Sequence, residues 1–329
     1  MNTTTKTRLT GILAGTALLL AGGSALAQDY PSQPITMIVP FSAGGPTDTV
    51  SRLTARAMSE ELGQEIVVQN VTGAGGTVGA AQAANAPADG YTILVHHIGM
   101  STAPTLYADL SYDPVESFEP IGLITNAPMT IIGRKNLEPN TLGELVEYVK
   151  ANADTVTLAN SGLGAASHLC SMLFMSAIDT EVTTVPYQGN GPIMTDLLGG
   201  HVDLTCDQTT NTTPPILAGE VKAYGITTPE RAVSLPDVPT TAEAGLPSLD
   251  ISVWHGIYVP ADTDEAVRQR LTEALQAALQ DETLVSRFNE LGTAPVSPEE
   301  ATPEALAERL SSQIEFWRPH IEAAGLAKN

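Results

Sequence analysis

The chain has 329 residues and carries 15 Lys and Arg against 37 Asp and Glu, a formal net charge of −22, and this length accommodates two lobes with a core in each. Nucleic acid, whose phosphates ask for a basic face, is excluded as a partner. The acidity reads as a solvated surface of the kind suited to salt, and any anion site on such a chain must win by short-range donors against long-range repulsion.

Residues 1–27, MNTTTKTRLTGILAGTALLLAGGSALA, have the form of a cleavable signal peptide. Lys6 and Arg8 precede an apolar stretch from Gly11 to about Gly22, and Ala25-Leu26-Ala27 follows as the small-residue cleavage site. The stretch is shorter than the roughly 18–20 residues of a spanning helix, so an exported, soluble, periplasmic protein is expected. No cysteine follows the cleavage site to take a lipid. Without these residues the balance is 13 basic against 37 acidic side chains. The two cysteines, Cys170 and Cys206, can pair in an oxidising compartment or stay as two buried thiols.

Hydrophobic runs then alternate with helical patterns. Strands are predicted at 34–41 (PITMIVPF), 65–71 and 91–97, with helices at 47–62 and 77–86 between them, and a long apolar run follows at 118–134. A second set has helices at 141–152, 165–178, 190–199 and near 213–218, with strands at 156–160, 182–187, 202–207 and 221–227. The Pro-rich segment 228–247 reads as an ordered loop with a short helix. A strand at 249–260 and helices at 264–279, 281–291 and 302–323 complete the chain. Strands separated by helices of this length imply crossover units and parallel sheets. A chain that leaves one lobe near 125 and returns near 250 makes two crossings, so lobe 1 is expected to hold 28–125 plus 251–329 and lobe 2 to hold 126–250, with the ligand in the cleft.

Three strand-end loops can carry chemistry. In PFSAGGPTD (40–48) a strand delivers Gly44 and Gly45 to a helix capped by Thr47 or Asp48, whose first-turn amides and positive dipole end make an anion site from backbone. Neither G-x-x-x-x-G-K-[ST] nor G-x-G-x-x-G is present, so a nucleotide phosphate is not indicated. In NSGLGAASHLC (160–170) a second glycine turn precedes a helix, with Ser161 and Ser167 as hydroxyl donors. Two such turns facing each other can hold a carboxylate without Lys or Arg. In CDQTTNTT (206–213) Asp207 either accepts from an ammonium or hydroxyl of the ligand or caps the next helix, and Thr209 and Asn211 are further donors.

The runs YPSQPITMIVPFSAGGPTDTVSRL, NVTGAGGTVGAAQAANAPADGYTIL, LYADLSYDPVESFEPIGL, VPYQGNGPIMTDLLGGHVDL and SLPDVPTTAEAGLP resemble the substrate-binding proteins of tripartite tricarboxylate transporters, the Bug family, across the mature chain. The resemblance implies an α/β fold of the type II periplasmic-binding kind, two lobes of mainly parallel sheet flanked by helices, closing on a small organic acid. It implies that a ligand carboxylate is held by the loops at 41–48 (Phe41, Ser42, Ala43, Gly44, Gly45, Thr47, Asp48) and 160–168 (Ser161, Gly162, Ala165, Ala166, Ser167), partly through ordered waters. It also implies delivery to membrane transporter subunits. HHIGMSTAP (96–104) and CDQTTNTT resemble members that bind aspartate or related dicarboxylates, with terephthalate binders among their relatives.

For the distal carboxylate of such a ligand, His97, Ser101, Thr209 and Asn211 are the donor candidates, and Tyr187, at a strand end in lobe 2, is a further cleft candidate whose hydroxyl can reach a ligand. Trp254 and Tyr258 are expected in the core, with Trp254 as an alternative cleft wall. An enzyme is not expected: no G-x-S-x-G elbow is present, and Ser167 and His168 are adjacent on a helix start and cannot face each other. His96, His97, His201 and His255 lack paired metal-ligand spacing, so neither metal nor cofactor is expected. A monomer delivering to a transporter is the first reading, and a receptor docking a membrane sensor kinase is the second.

Overall fold

The computed structural model describes residues 1–2 and 30–328. The signal peptide expected over 1–27 lies, but for its first two residues, outside the described residues. Nine strands and ten helices follow: β1 (Ile35–Val39), α1 (Pro46–Leu62), β2 (Ile66–Asn70), a 3-10 turn (Ala74–Gly76), α2 (Thr77–Ala84), β3 (Thr92–His97), α3 (Gly99–Leu106), β4 (Phe118–Arg134), α4 (Leu142–Ala151), β5 (Thr157–Asn160), α5 (Ala166–Ile178), β6 (Thr183–Pro186), α6 (Asn190–Gly199), β7 (Leu204–Gln208), α7 (Thr209–Leu217), β8 (Val221–Ile226), β9 (Ser252–Pro260), α8 (Glu265–Ala278), α9 (Glu282–Glu290) and α10 (Pro303–Ala323).

The strands run β2-β1-β3-β9-β4-β7-β5-β6, with β8 also on β4. β1 is parallel to β2 and β3, and β5 is parallel to β6 and β7. The strands that join the lobes are antiparallel: β9 to β3 and β4, and β4 to β7 and β8. The α/β class therefore takes the form of mixed sheets, because a crossing strand enters each sheet against its neighbours. Phe118–Pro128 of β4 pairs with β9, and Met129–Arg134 pairs with β7 and β8. The expected break between 125 and 126 thus falls inside one continuous strand, three residues before the change of partner.

Both faces of the first sheet are covered, which is why β1 reads as an unbroken apolar run. Met37 and Val39 face Val50, Met58, Leu271 and Phe288 under α1, α8 and α9, while Ile38 joins Leu94 and Ala80 in the core on the other face. α3 escapes the sequence pattern because it contains Pro104 and two β-branched residues, Thr102 and Thr105, and α7 begins at Thr209, earlier than expected, despite Pro214 and Pro215 inside it. Segment 228–247 contains turns and an isolated bridge but no helix.

Helix starts divide into two groups. α4, α8, α9 and α10 are capped by the side chains of Thr141, Asp264, Asp281 and Thr302. α1, α2, α3, α5, α6 and α7 have no side-chain cap; Gly45, Gly76, Ile98, Ala165, Gly189 and Gln208 stand at those positions. The uncapped starts gather where the lobes meet.

Candidate functional site

The lobes touch along two seams. At the first, Ser42 N–H donates to Gln188 O at 3.0 Å. Backbone approach there is close enough to require glycine: a Cβ on Gly191 would stand 2.5 Å from Ala43 O, and one on Gly189 would overlap Ser42 Oγ. At the second, Tyr107 Oη donates to Leu163 O at 2.8 Å and Thr102 Oγ1 to Gly164 O at 3.0 Å. Gly75 packs there so tightly that a Cβ would overlap Leu163 O.

The lobe 1 wall is an aromatic platform of neutral rings. Phe41 stacks on His97 with centroids 4.4 Å apart at 21°, and His96 and His255 stand edge-on to His97 at 5.2 and 5.9 Å. Burial pushes His96 down to about 4 and His255 down to about 3, and holds His97 well below the usual imidazole range. His97 Nδ1 accepts from Gly99 N–H at 2.9 Å, and Thr47 Oγ1 lies 3.3 Å from His255 Nε2. Both adjacent histidines lie against Phe41 because the strand ends at His97 and the chain turns.

Two predicted contacts in this lobe have other partners. The Asp48 carboxylate accepts from Gly44 N–H at 3.0 Å, from Arg52 Nε at 2.9 Å and from Asn70 at 2.9 Å, while Asn70 also donates to Phe41 O. Burial opposes this charge, but those donors outweigh it and hold Asp48 below the usual carboxylate range. Asp48 therefore braces the 41–44 loop from behind. Ser101 gives its hydroxyl to Ile98 O at 2.6 Å, back into the start of its own helix.

The lobe 2 wall is a chain of polar side chains. Ser167 Oγ accepts from Ser161 N–H at 2.8 Å and lies 2.7 Å from Ser161 Oγ. It also reaches Asn190 Oδ1 at 3.4 Å, and Asn190 Nδ2 donates to Asp207 Oδ1. Asp207 further accepts from Gln208 N–H at 2.7 Å and Asn211 Nδ2 at 2.6 Å. It is fully buried with no cation beside it, and burial, only partly offset by these donors, raises it to about 6. Cys170 and Cys206 are joined, Cα atoms 6.0 Å apart, so a disulfide ties α5 one turn beyond Ser167 to the residue before Asp207. Ser42 Oγ, Gln208 Oε1 and Thr210 Oγ1 are buried without a partner. A groove of about 630 Å³ between α1 and the α6–α7 pair reaches Asp48, Thr210 and Asn211 from solvent.

Tyr187 turns away from this wall: its hydroxyl is 2.6 Å from Asp196 on α6. Gly162 and Ala165 N-terminal to α5 lie at the second seam and at the uncapped start, and Ala166 opens the helix. Thr209 donates to Gly292 O at 2.9 Å, and Trp254 and Tyr258 are core residues. Asn190 was not singled out from sequence, although an Asn directly behind Gly189 at a helix start was a signal of a polar group placed at that helix end. Ser167, His168 and Asp207 do not assemble as a triad, since the partners of Asp207 are amides and His168 Nδ1 faces Gly164 N–H at 3.4 Å. No cluster of three metal-ligating side chains occurs among the described residues.

Two α/β lobes that meet at helix-start amides and buried polar side chains are the arrangement of a solute-binding protein of the periplasmic-binding type. The chain belongs to the tripartite tricarboxylate transporter receptor family: the family described as "Tripartite tricarboxylate transporter family receptor" matches residues 50–326. A UPF0065 protein from the TAR-I ttuE-ttuC' intergenic region of Agrobacterium vitis is 52% identical over 302 residues, spanning 92% of this chain and 87% of that protein. The structure of the periplasmic binding protein BugD is 48% identical with a TM-score of 0.89, covering 91% of this chain and 100% of that one. MatC from Rhodopseudomonas palustris with bound malate is 37% identical with a TM-score of 0.85, covering 88% and 99%. The family is one of transporter receptors and BugD is a periplasmic binding protein, so the chain groups with solute-binding proteins and not with enzymes.

Proposed function

We propose that this protein, exported by its N-terminal signal, acts as a monomer in the periplasm, captures a small dicarboxylate or acidic amino acid and hands it to a tripartite tricarboxylate-type secondary transporter. The observation that carries the reading is the division of helix starts. Four helices outside the cleft are capped by the side chain at their N-cap position, while of the six that begin at the lobe junction none is capped by its N-cap residue and only α3 has its first N–H met by a neighbouring side chain, that of His97. A carboxylate is the natural cap for such starts, and it needs no Lys or Arg. The malate bound in MatC supports the ligand class.

One carboxylate would sit on the loops 41–47 and 161–167, with the N–H groups of Gly45 and Thr47 supplying donors from the first loop. The far end would meet His97 and the Asn190–Asp207–Asn211 group. Closure then works by differential affinity: the acid binds the lobe pair more tightly when closed, and only the closed form is productive at the membrane. In this reading the swing would run through β4 where it changes partner at Pro128–Met129 and through the start of β9 after Ile251. A thermal-shift screen of dicarboxylates, tricarboxylates, acidic amino acids and aromatic acids tests it. A rise of several degrees with four- or five-carbon diacids is the expected result, and no response to any carboxylate would sink the reading.

A further inference from the structure

Asn190 opens α6 behind Gly189, and its buried side chain is used at both ends. Oδ1 faces the Ser167 hydroxyl at 3.4 Å, and Nδ2 donates to Asp207. Its backbone lies at the first seam, where a Cβ on Gly45 of the other lobe would stand 3.5 Å from Asn190 N. One residue thus joins the start of α5, the end of β7 and the closing edge of lobe 1.

The direction of this amide has a chemical consequence. It presents NH₂, not oxygen, to Asp207, and the other two partners of Asp207 are likewise N–H donors. A carboxylate met only by donors is kept as an acceptor, while the lack of a cation leaves its buried charge uncompensated. A ligand that brings a donor to this point gains a charge-assisted hydrogen bond; a ligand that brings only hydrogen atoms leaves the acceptor short of partners.

We propose that Asn190 is a specificity-determining residue: by holding Asp207 as an acceptor within the interlobe site, it selects organic acids that bear an ammonium or hydroxyl group over acids of the same skeleton that lack one. The inference rests on the reading that the protein binds a small organic acid, and the test separates the two.

Succinate, L-malate and L-aspartate share a four-carbon diacid skeleton and differ at one carbon in H, OH or NH₃⁺. Calorimetric titration at pH 7.5 should find L-malate and L-aspartate at least about tenfold tighter than succinate on the wild type. Asn190→Ala should bring the three within about threefold of one another, whatever it does to their common affinity. Asn190→Ser, chosen in case the alanine variant folds poorly, should weaken the preference in the same direction, and Asp207→Asn, made separately, should erase it. A wild type that binds none of a broad set of acids overturns the proposed function and this inference together. A wild type that binds all three alike, or a folded Asn190 or Asp207 variant that keeps the full preference, overturns this inference and leaves the proposed function standing.

Discussion

Gly75→Ala asks whether the closed arrangement of the lobes is the one that holds ligand. Gly75 has φ of 63°, so alanine costs about 1 kcal/mol in backbone strain alone. The added Cβ would overlap Leu163 O of the other lobe and stand 2.8 Å from Tyr107 Oη. A backbone carbonyl cannot rotate away, so the seam must part, and the Tyr107–Leu163 and Thr102–Gly164 hydrogen bonds go with it. At about 1 kcal/mol each plus lost packing, the closed form loses about 3 kcal/mol against the open form. That is about a 100-fold loss of affinity for the acid that binds the wild type most tightly. Gly63→Ala is the control: φ there is 67°, at the end of α1, with nothing within 4 Å of the added Cβ. It shares the strain but not the overlap, so it should bind within about threefold of wild type. Titration calorimetry gives the affinities, and small-angle scattering with and without ligand gives the compaction. Wild-type affinity and compaction in Gly75→Ala would refute the argument that this seam must close.

The raised Asp207 makes a signed prediction. Its proton is held more tightly in the folded protein, so its contribution to stability is present below about pH 4 and is lost as pH rises through about 6, an effect of about 3 kcal/mol. Comparing urea unfolding of wild type and Asp207→Asn between pH 4 and 7.5 without ligand, the variant should gain relative to wild type as pH rises; parallel curves would count against a desolvated carboxylate. The disulfide closes a separation of 36 residues, so Cys170→Ala with Cys206→Ala should cost about 3–4 kcal/mol in urea unfolding. Tyr187→Phe should leave ligand affinity within about twofold, because the hydroxyl belongs to Asp196; a larger loss by titration would return Tyr187 to the cleft.

Element order was legible because β1, β3 and β9 are apolar runs and α1, α8 and α10 repeat at helical spacing. α3 was not, since Pro104 and its neighbouring threonines hide a helix that tertiary packing enforces. The glycine loops at 41–48 and 160–168 were visible as strand-to-helix turns, but which of their groups faces the ligand depends on partners distant in sequence. The i+4 pairing of Asp48 with Arg52 is readable in the sequence, but its contact with Asn70, 22 residues on, is not, and that contact turns the carboxylate to the back of the loop. Tyr187 looked free because the turn of α6 that brings Asp196 under its hydroxyl is a matter of geometry. The mixed character of the sheets was hidden for a similar reason: strand direction is set by which lobe the chain is leaving, and no residue records that.

The uncapped helix starts bear on how such a protein changes over generations. A side-chain grip on a ligand can be deleted by one substitution, whereas every residue except proline carries the same N–H. On the proposed reading, the hold on the first carboxylate would be insulated from most point mutations at Ala43, Ala165 or Ala166. Drift in ligand preference would then be confined to the few side chains proposed for the far end, among them Asn190, Asp207 and Asn211. One scaffold can thus be retuned to a new acid by two or three substitutions without first losing its ability to bind acids at all.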